Sequence, residues 1–235
     1  MSPRASRRLA MLDDVPQGSL LVHEVYRSLQ GESTHQGRPC VFIRLSVCDL
    51  RCRWCDTGHA FHHGDVRRPE AVIDEVVALQ PPGPEALVEV TGGEPLLQAA
   101  VHPLLSGLCD LGYELLLETS GGRDIALVDP RVAIIMDVKC PDSGESDSNY
   151  WPNLERLRPR DELKFVVASR GDFDWARDVI ETHRLAGRCP ILFSAVWGKV
   201  PLTDLADWVA AATIPGARMQ LQLHKFVWGA AAQGV

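Results

Sequence analysis

Short apolar runs rich in Val, Ile and Leu recur along the chain after a polar start, and each is short enough for a buried strand. The runs are Val41 to Val47, Leu87 to Val90, Glu114 to Leu117, Val132 to Met136, Leu163 to Val167, Ile191 to Phe193 and Met219 to Leu223. Stretches with helical spacing lie between them: Glu70 to Leu79, Leu96 to Leu111, Phe173 to Leu185 and Leu202 to Ala212. This alternation predicts parallel strands joined by right-handed crossovers.

The alternation indicates an α/β fold in which the parallel strands form a barrel. A closed barrel of eight strand-helix units needs about 250 residues. This chain has 235 residues, and its polar start reduces what is available. We therefore predict a shortened, partly open parallel (β/α) barrel. Alternation resumes after each turn without a linker, so we expect a single domain over residues 18–235, preceded by a disordered leader over residues 1–17.

Polar segments follow the predicted strands directly. They are Cys48 to Thr57, Thr91 to Pro95, Glu118 to Gly122, Asp137 to Pro141, Ser194 and His224. In a parallel barrel the loops after the strands meet on one face, where side chains from different strands converge. We therefore expect one site at the carboxyl ends of the strands.

Charge and composition narrow the range of partners. The formal net charge is -7, so the chain lacks the excess of Lys and Arg that would neutralise a polynucleotide, and we expect no nucleic-acid partner. No segment has the length and apolar character of a secretory signal or a membrane span. We therefore expect a cytoplasmic protein without a membrane partner. In a reducing compartment, seven cysteines indicate thiols or metal ligands rather than disulfides.

Three of the cysteines, Cys48, Cys52 and Cys55, are close enough for one loop to hold a metal centre. A structural zinc site normally has four ligands, and the candidates to complete one are His59, His62 and His63. An iron-sulfur cluster held by three thiolates would instead leave one iron without a protein ligand, and that iron could bind a substrate. Both readings remain open at this point.

Two motifs resemble the radical S-adenosylmethionine superfamily. The first is the spacing C-x-x-x-C-x-x-C with Trp54 before the last cysteine, and the second is Thr91-Gly92-Gly93-Glu94-Pro95 after a strand. The resemblance implies a barrel of the superfamily's type and a [4Fe-4S] cluster with one open iron. It also implies that S-adenosylmethionine binds this iron and is cleaved reductively to a 5'-deoxyadenosyl radical.

A wider set of segments resembles one family of that superfamily, the 7-carboxy-7-deazaguanine synthases of queuosine biosynthesis. The segments are Ser28 to Ser33, Gly37 to Pro39, Phe42 to Leu45, Cys55 to Thr57, Glu118 to Gly121, Asp137 to Pro141, Leu163 to Phe165 and Gln222 to Lys225. The resemblance implies a lyase that converts 6-carboxy-5,6,7,8-tetrahydropterin into 7-carboxy-7-deazaguanine with loss of ammonia. It implies Mg2+ as a further cofactor.

The resemblance also implies a role for individual residues. Cys48, Cys52 and Cys55 hold the cluster that generates the radical, and Thr57 is a ligand of Mg2+. Arg44 pairs with the substrate carboxylate, while Gln30 and Glu32 read its guanine-like edge. The full expected substrate set is Leu29, Gln30, Gly31, Glu32, Arg44, Thr91, His224 and Val235. The expected contacts of S-adenosylmethionine are Gly93, Glu94, Glu118, Ser120, Asp137, Lys139, Ser194, Ala195, Val196 and Trp197.

Partners follow from the same resemblance. It implies a small pterin substrate and an electron donor of the flavodoxin or ferredoxin type. Because an incomplete barrel leaves apolar edges that a second copy could cover, we expect a homodimer. Two alternatives remain open: another radical S-adenosylmethionine enzyme, such as an activase that installs a glycyl radical on a protein, and a binding module with a structural zinc ion.

Overall fold

The structure, a computed structural model, describes residues 9–235. Residues 9–13 are helical. The strands that follow are β1 (Leu20–Leu29), β2 (Pro39–Leu45), β3 (Asp65–Arg67), β4 (Leu87–Gly92), β5 (Glu114–Thr119), β6 (Ala133–Val138), β7 (Glu162–Val167), β8 (Ile191–Ala195) and β9 (Ala217–Gln220). The helices are α1 (Pro69–Leu79), α2 (Val101–Asp110), α3 (Arg170–Thr182), α4 (Leu202–Ala212) and α5 (Leu223–Val227). Short 3-10 turns cover Gly58–Phe61, Pro95–Leu97, Pro141–Ser143, Ser146–Ser148 and Trp151–Arg156.

One sheet contains all nine strands of the described residues, in the order β3-β1-β2-β4-β5-β6-β7-β8-β9. The pairs from β2 to β9 are parallel, whereas β1 is antiparallel to both β2 and β3. The edge strands β3 and β9 do not pair with each other. The predicted partly open parallel barrel is therefore confirmed, with an antiparallel ribbon added at one edge.

The turn after β1 bridges the open side of the barrel. Leu223 N–H donates to Gly31 O at 2.8 Å, and Ser33 N–H donates to the Gln220 side chain at 2.6 Å. These bonds join the segment after β1 to the end of β9. The loop before β2 consequently contributes residues to the barrel interior.

Successive side chains of the parallel strands point to opposite faces of the sheet, and the two faces have different surroundings. One face of the strands packs against the helices in a large apolar core that includes Ile43, Val90, Leu117 and Phe165. The opposite face begins as a smaller apolar cluster around Phe42 and becomes polar toward the carboxyl ends of the strands. The site therefore lies on the polar part of this face, next to the smaller apolar cluster.

The structure corrects several predicted element boundaries. The helix predicted from Leu96 begins at Val101, because Pro95–Leu97 forms a separate 3-10 turn. The last predicted strand ends at Gln220, and Leu223 begins α5 instead. Of the predicted disordered leader, residues 1–8 lie outside the described residues and residues 9–13 form a short helix. Within the described residues, no helix is both long and apolar enough to cross a membrane.

The sequence reasoning missed β1, and a β-bulge explains why. Val22 pairs with Leu45 and Glu24 pairs with Arg44, so His23 is an extra residue without a partner in β2. A bulge of this kind interrupts the two-residue alternation by which a strand is recognised.

Candidate active site

A cavity of about 550 Å3 opens at the carboxyl ends of the strands. Among its lining residues are nearly all those expected from the sequence: Leu29, Gln30, Gly31, Glu32, Arg44, Cys48, Cys52, Cys55, Thr57, Thr91, Gly93, Glu118, Ser120, Asp137, Lys139, Val196, Trp197, His224 and Val235. Glu94, Ser194 and Ala195 do not line it. The predicted convergence on one face is confirmed, while the role of each residue stays a prediction.

The three cysteines lie on the loop that follows β2. Val47 begins this loop with a φ of +75°, an unusual conformation for a β-branched residue, and its N–H donates to Ala60 O at 3.2 Å. Cys48 is buried, Cys52 half-buried and Cys55 exposed. The loop therefore presents three thiols to the cavity at different depths.

Burial sets the acid-base state of these thiols. It raises the pKa of Cys48 to about 12 and that of Cys52 to about 11, and it also raises the pKa of Cys55. The thiols are therefore protonated near neutral pH. A metal centre would bind them as thiolates and release their protons.

The spacing of the ligand atoms distinguishes a cluster from a compact zinc site. Zinc binds thiolates at about 2.3 Å, which places tetrahedral sulfur ligands about 3.8 Å apart. Within residues 9–235, the one group of His, Cys, Asp or Glu ligand atoms that all lie within 4.8 Å is His23, Glu24 and His59. No cysteine belongs to it. The three thiols fit a larger metal cluster better than one zinc ion completed by a histidine.

Gly92 and Gly93 allow two backbones to pack closely. Gly92 has a φ of +137°, and a Cβ there would lie 2.5 Å from Leu45 N. A Cβ at Gly93 would lie 2.8 Å from Cys48 N and closer still to the Val47 carbonyl group. Gly93 was expected to contact S-adenosylmethionine, and that contact stays a prediction. The structure shows that the two glycines seat the start of the cysteine loop on β4.

Glu94 is fully buried beside this contact. Its carboxylate accepts hydrogen bonds from Leu96 N at 3.0 Å, from Thr119 Oγ1 at 2.8 Å and from Ser120 N and Oγ at 2.8 and 2.6 Å. It thus ties the glycine turn to the end of β5, and its predicted cofactor contact stays a prediction. Ser194 is also fully buried, and its hydroxyl accepts from Gln220 at 3.1 Å.

Arg44 extends from β2 into the cavity. Its Nε donates to Glu24 Oε1 at 2.7 Å, and its NH2 group donates to the Tyr26 hydroxyl at 2.8 Å. Both partners come from β1, which sequence reasoning had missed. The antiparallel ribbon therefore holds the one cation expected to meet a substrate carboxylate.

Gln30 and Glu32 lie deeper than a plain surface loop would place them. Gln30 donates to Glu89, and its Oε1 accepts from Glu32 N at 2.9 Å. Glu32 in turn accepts from Lys164 Nζ at 3.0 Å and from Gln222 Nε2 at 3.0 Å. The loop is thereby bound into a charged network on the cavity floor.

Lys164 is the centre of that network and was not predicted. Its ammonium group forms an ion pair with Glu118, pairs with Glu32 at 3.0 Å and lies 3.8 Å from Asp137. Burial opposes ionisation of Glu118, but the Lys164 charge overcomes it and lowers the pKa of Glu118 to about 2. Burial raises the pKa of Glu89, and the charge of Glu118 reinforces the effect. The sequence did carry a signal for Glu89 and Lys164, because each is the one charged residue within an apolar run that forms a strand.

Lys139 and Asp137 form a second ion pair at 2.8 Å. Asp137 Oδ1 is buried and has no hydrogen-bond partner among the described residues. Near the mouth, Thr57 donates to Asp56 at 3.1 Å and Lys225 pairs with Asp56 at 2.6 Å. Although burial opposes it, the Lys225 charge lowers the pKa of Asp56 to about 2. Asp56 is therefore ionised near neutral pH.

His224 and the end of the chain close one side of the cavity. A Cβ on Gly31 would overlap the His224 ring, lying 3.0 Å from its Cγ, so glycine is needed at position 31. Residues 230–235 line the same cavity, and Val235 is among them.

Comparisons with known proteins identify the family of the chain. A family model described as "Radical SAM superfamily" matches residues 42–141. The 7-carboxy-7-deazaguanine synthase of Koribacter versatilis is 42% identical, with 91% of this chain and 99% of the relative covered. The one of Chlorobaculum tepidum is 43% identical, with 93% and 99% covered.

The fold also matches a solved structure, QueE from Escherichia coli, with a TM-score of 0.73 over 95% of this chain and 100% of the other. At 22% identity, that match shows the fold alone. The barrel, the three-cysteine loop and the family model define the class as the radical S-adenosylmethionine superfamily. Because two named relatives match over nearly their whole length, the chain belongs to the 7-carboxy-7-deazaguanine synthase family. Membership implies a [4Fe-4S] cluster and S-adenosylmethionine.

Proposed function

We propose that the chain is a radical S-adenosylmethionine lyase that converts 6-carboxy-5,6,7,8-tetrahydropterin into 7-carboxy-7-deazaguanine with loss of ammonia, a step toward queuosine and related 7-deazapurines. The observation that carries this proposal is the identity of 42% and 43% to synthases of that name over 99% of their lengths. The cavity adds thiols for a cluster and a cation for an anionic substrate.

Cys48, Cys52 and Cys55 would hold the cluster, which when bound supplies the electron that cleaves S-adenosylmethionine. Asp137 Oδ1 is a buried acceptor without a partner among the described residues, which suits a ribose hydroxyl. Lys139 pairs with Asp137 at 2.8 Å and would present a cation to the carboxylate of S-adenosylmethionine. The remaining proposed contacts are Gly93, Glu94, Glu118, Ser120, Ser194, Ala195, Val196 and Trp197.

Arg44 would bind the substrate carboxylate in a charge-assisted pair, which is stronger than a neutral hydrogen bond. Glu32 would meet the guanine-like edge, and Gln30 would orient Glu32 through its backbone. The other proposed substrate contacts are Leu29, Gly31, Thr91, His224 and Val235. By orienting the reacting carbon and excluding water, these residues leave the chemistry itself to the cofactor.

Thr57 would contribute its hydroxyl to a Mg2+ ion that also binds the substrate. The ionised Asp56 beside it adds negative charge that favours a hard cation. Lys225 holds that carboxylate in place.

The proposal includes a homodimer, an electron donor of the flavodoxin or ferredoxin type and a location in the cytoplasm. Trp197, Phe226 and Trp228 are exposed aromatic side chains near the cavity, and such side chains are enriched in protein interfaces. They support contact with a second protein chain.

The decisive experiment is anaerobic. The reconstituted enzyme is mixed with S-adenosylmethionine, dithionite, Mg2+ and 6-carboxytetrahydropterin, and mass spectrometry is used to look for 7-carboxy-7-deazaguanine. Product should appear and should be lost when any of Cys48, Cys52 or Cys55 is changed to Ala. Cys109→Ala is the matched control, because this half-buried thiol lies outside the cavity.

Other outcomes separate the alternatives. 5'-Deoxyadenosine without product would contradict the pterin assignment and favour another radical enzyme such as an activase. A protein that takes up zinc on the cysteines and no iron-sulfur cluster would contradict the whole proposal.

A further inference from the structure

We propose that His23, Glu24 and His59 bind a divalent transition-metal ion of the zinc class, at a site separate from the cysteine cluster and from the Mg2+ position. Their ligand atoms all lie within 4.8 Å of one another, and the two imidazole rings are 5.2 Å apart. Zinc binds nitrogen and oxygen at about 2.0–2.1 Å, which brings tetrahedral ligands to about 3.4 Å. Small side-chain rotations would close the group on one ion.

The β-bulge in β1 explains how two neighbouring residues serve the same site. In a regular strand, adjacent side chains point to opposite faces. At the bulge, two residues of β1 oppose one residue of β2, and His23 is the extra one. Bulges re-aim side chains in this way and are common beside functional sites. His23 and Glu24 consequently share a face toward His59.

Each of the three side chains has one atom already held and another available. His23 Nδ1 lies 3.1 Å from His63 O, and Glu24 Oε1 accepts from Arg44 Nε at 2.7 Å. His59 is held by a hydrogen bond to the Asp56 backbone. Such outer partners orient metal ligands: a histidine that donates one ring N–H to a carbonyl presents the lone pair of its other nitrogen.

His59 supplies an independent sign of a missing ligand. Its Nε2 atom is buried and has no hydrogen-bond partner among the described residues. A buried polar atom without a partner is unfavourable, and coordination of a metal by this nitrogen would remove the cost.

The donor set indicates the class of metal. Two imidazoles and one carboxylate suit zinc, iron(II), cobalt or nickel, whereas Mg2+ prefers oxygen ligands alone. Three protein ligands leave a fourth position for water. A bound ion would join β1 to the Gly58–Phe61 turn after the cysteine loop.

The test uses the cluster-loaded enzyme, dialysed anaerobically against Zn2+ and analysed for zinc and iron by mass spectrometry. We expect one zinc per chain with no loss of iron. His23→Ala and His59→Ala should each bind zinc at least tenfold more weakly. His62→Ala is the matched control, because His62 is an exposed histidine of the same segment outside the group. His23→Gln provides a second, milder variant, and circular dichroism checks that each variant is folded.

X-ray absorption at the zinc edge separates this site from the cysteines. Nitrogen and oxygen neighbours at about 2.0–2.1 Å, without sulfur at about 2.3 Å, are expected. Sulfur ligation, absence of bound zinc, or unchanged affinity in folded His23 and His59 variants would overturn the proposal. None of these readouts depends on the pterin reaction, so the proposed function can fail while this site stands.

Discussion

Replacing Gly93 by Ala should displace the start of the cysteine loop. The backbone at Gly93 is outside the left-handed region, so the cost of a methyl group is steric. The new Cβ would lie 2.8 Å from Cys48 N, where ordinary contacts begin at 3.4 Å. Cys48 N must therefore retreat by about 0.6 Å, and the Val47 carbonyl must move further.

The expected magnitude follows from that movement. Two backbone hydrogen bonds of 2.9 Å, from Gly93 N to Leu45 O and from Glu94 N to Val47 O, are stretched. Each contributes about 0.5–1.5 kcal/mol, and overpacking costs about 1–3 kcal/mol. The free energy of unfolding should fall by about 2–6 kcal/mol. At about 2–4 °C per kcal/mol for a chain of this size, the Tm should fall by ~4 °C or more.

Catalysis should suffer more than stability. A misplacement of 1 Å can lower a rate about 100-fold, so we expect the Gly93→Ala variant to form 5'-deoxyadenosine about 10-fold to 100-fold more slowly, with less iron per chain. Gly83→Ala is the matched control, because nothing lies within 4 Å of a Cβ there. Iron content, 5'-deoxyadenosine formation and thermal melting would be measured in parallel. Normal iron content, rate and Tm in the Gly93 variant would refute the reasoning.

Four further outcomes are expected. Lys164→Met leaves the half-buried Glu118 carboxylate without its cation, which should cost less than the ~3–5 kcal/mol typical of a fully buried pair. In the wild type the Glu118 pKa is lowered to about 2, so the stability from this pair is present above about pH 4.3 and is lost as the pH falls toward 2. In the variant, the free energy of unfolding should instead fall as the pH rises from 5 to 8. Urea titrations at these two pH values measure it, and an equal difference from the wild type at both would contradict this account. Phe165→Ala should lower the free energy of unfolding by about 3–5 kcal/mol in urea, since Phe165 is fully buried and stacks on Phe193 at 5.6 Å. Chelation of the iron should abolish cofactor cleavage while far-UV circular dichroism is retained, because the cluster cysteines lie outside the main apolar core. The metal-free protein should show one calorimetric transition if residues 18–235 form a single domain, and two resolved transitions would contradict that.

Much of the fold could be predicted from local patterns. The helix predicted over Leu202 to Ala212 coincides with α4. The parallel strands β2, β4, β5, β6, β7 and β8 all overlap predicted apolar runs. Because periodicity depends only on residues close together in sequence, it can be recognised without knowing how the rest of the chain folds. The cysteine spacing is local in the same sense. It predicted which loop would bind the metal and, with the motifs, indicated the family.

What only the tertiary structure decided depends on residues far apart in sequence. Lys164 meets Glu32 across 132 positions, and no spacing rule connects them. Likewise, the need for glycine at position 93 arises from the backbone of a different segment at Val47. β1 escaped prediction because its bulge breaks the alternation, and that same bulge brings His23 toward His59. The sequence by itself therefore determined most of the elements and predicted the ligands of the cluster, whereas close packing between distant segments decided the charged network of the cavity and the further metal site proposed beside it.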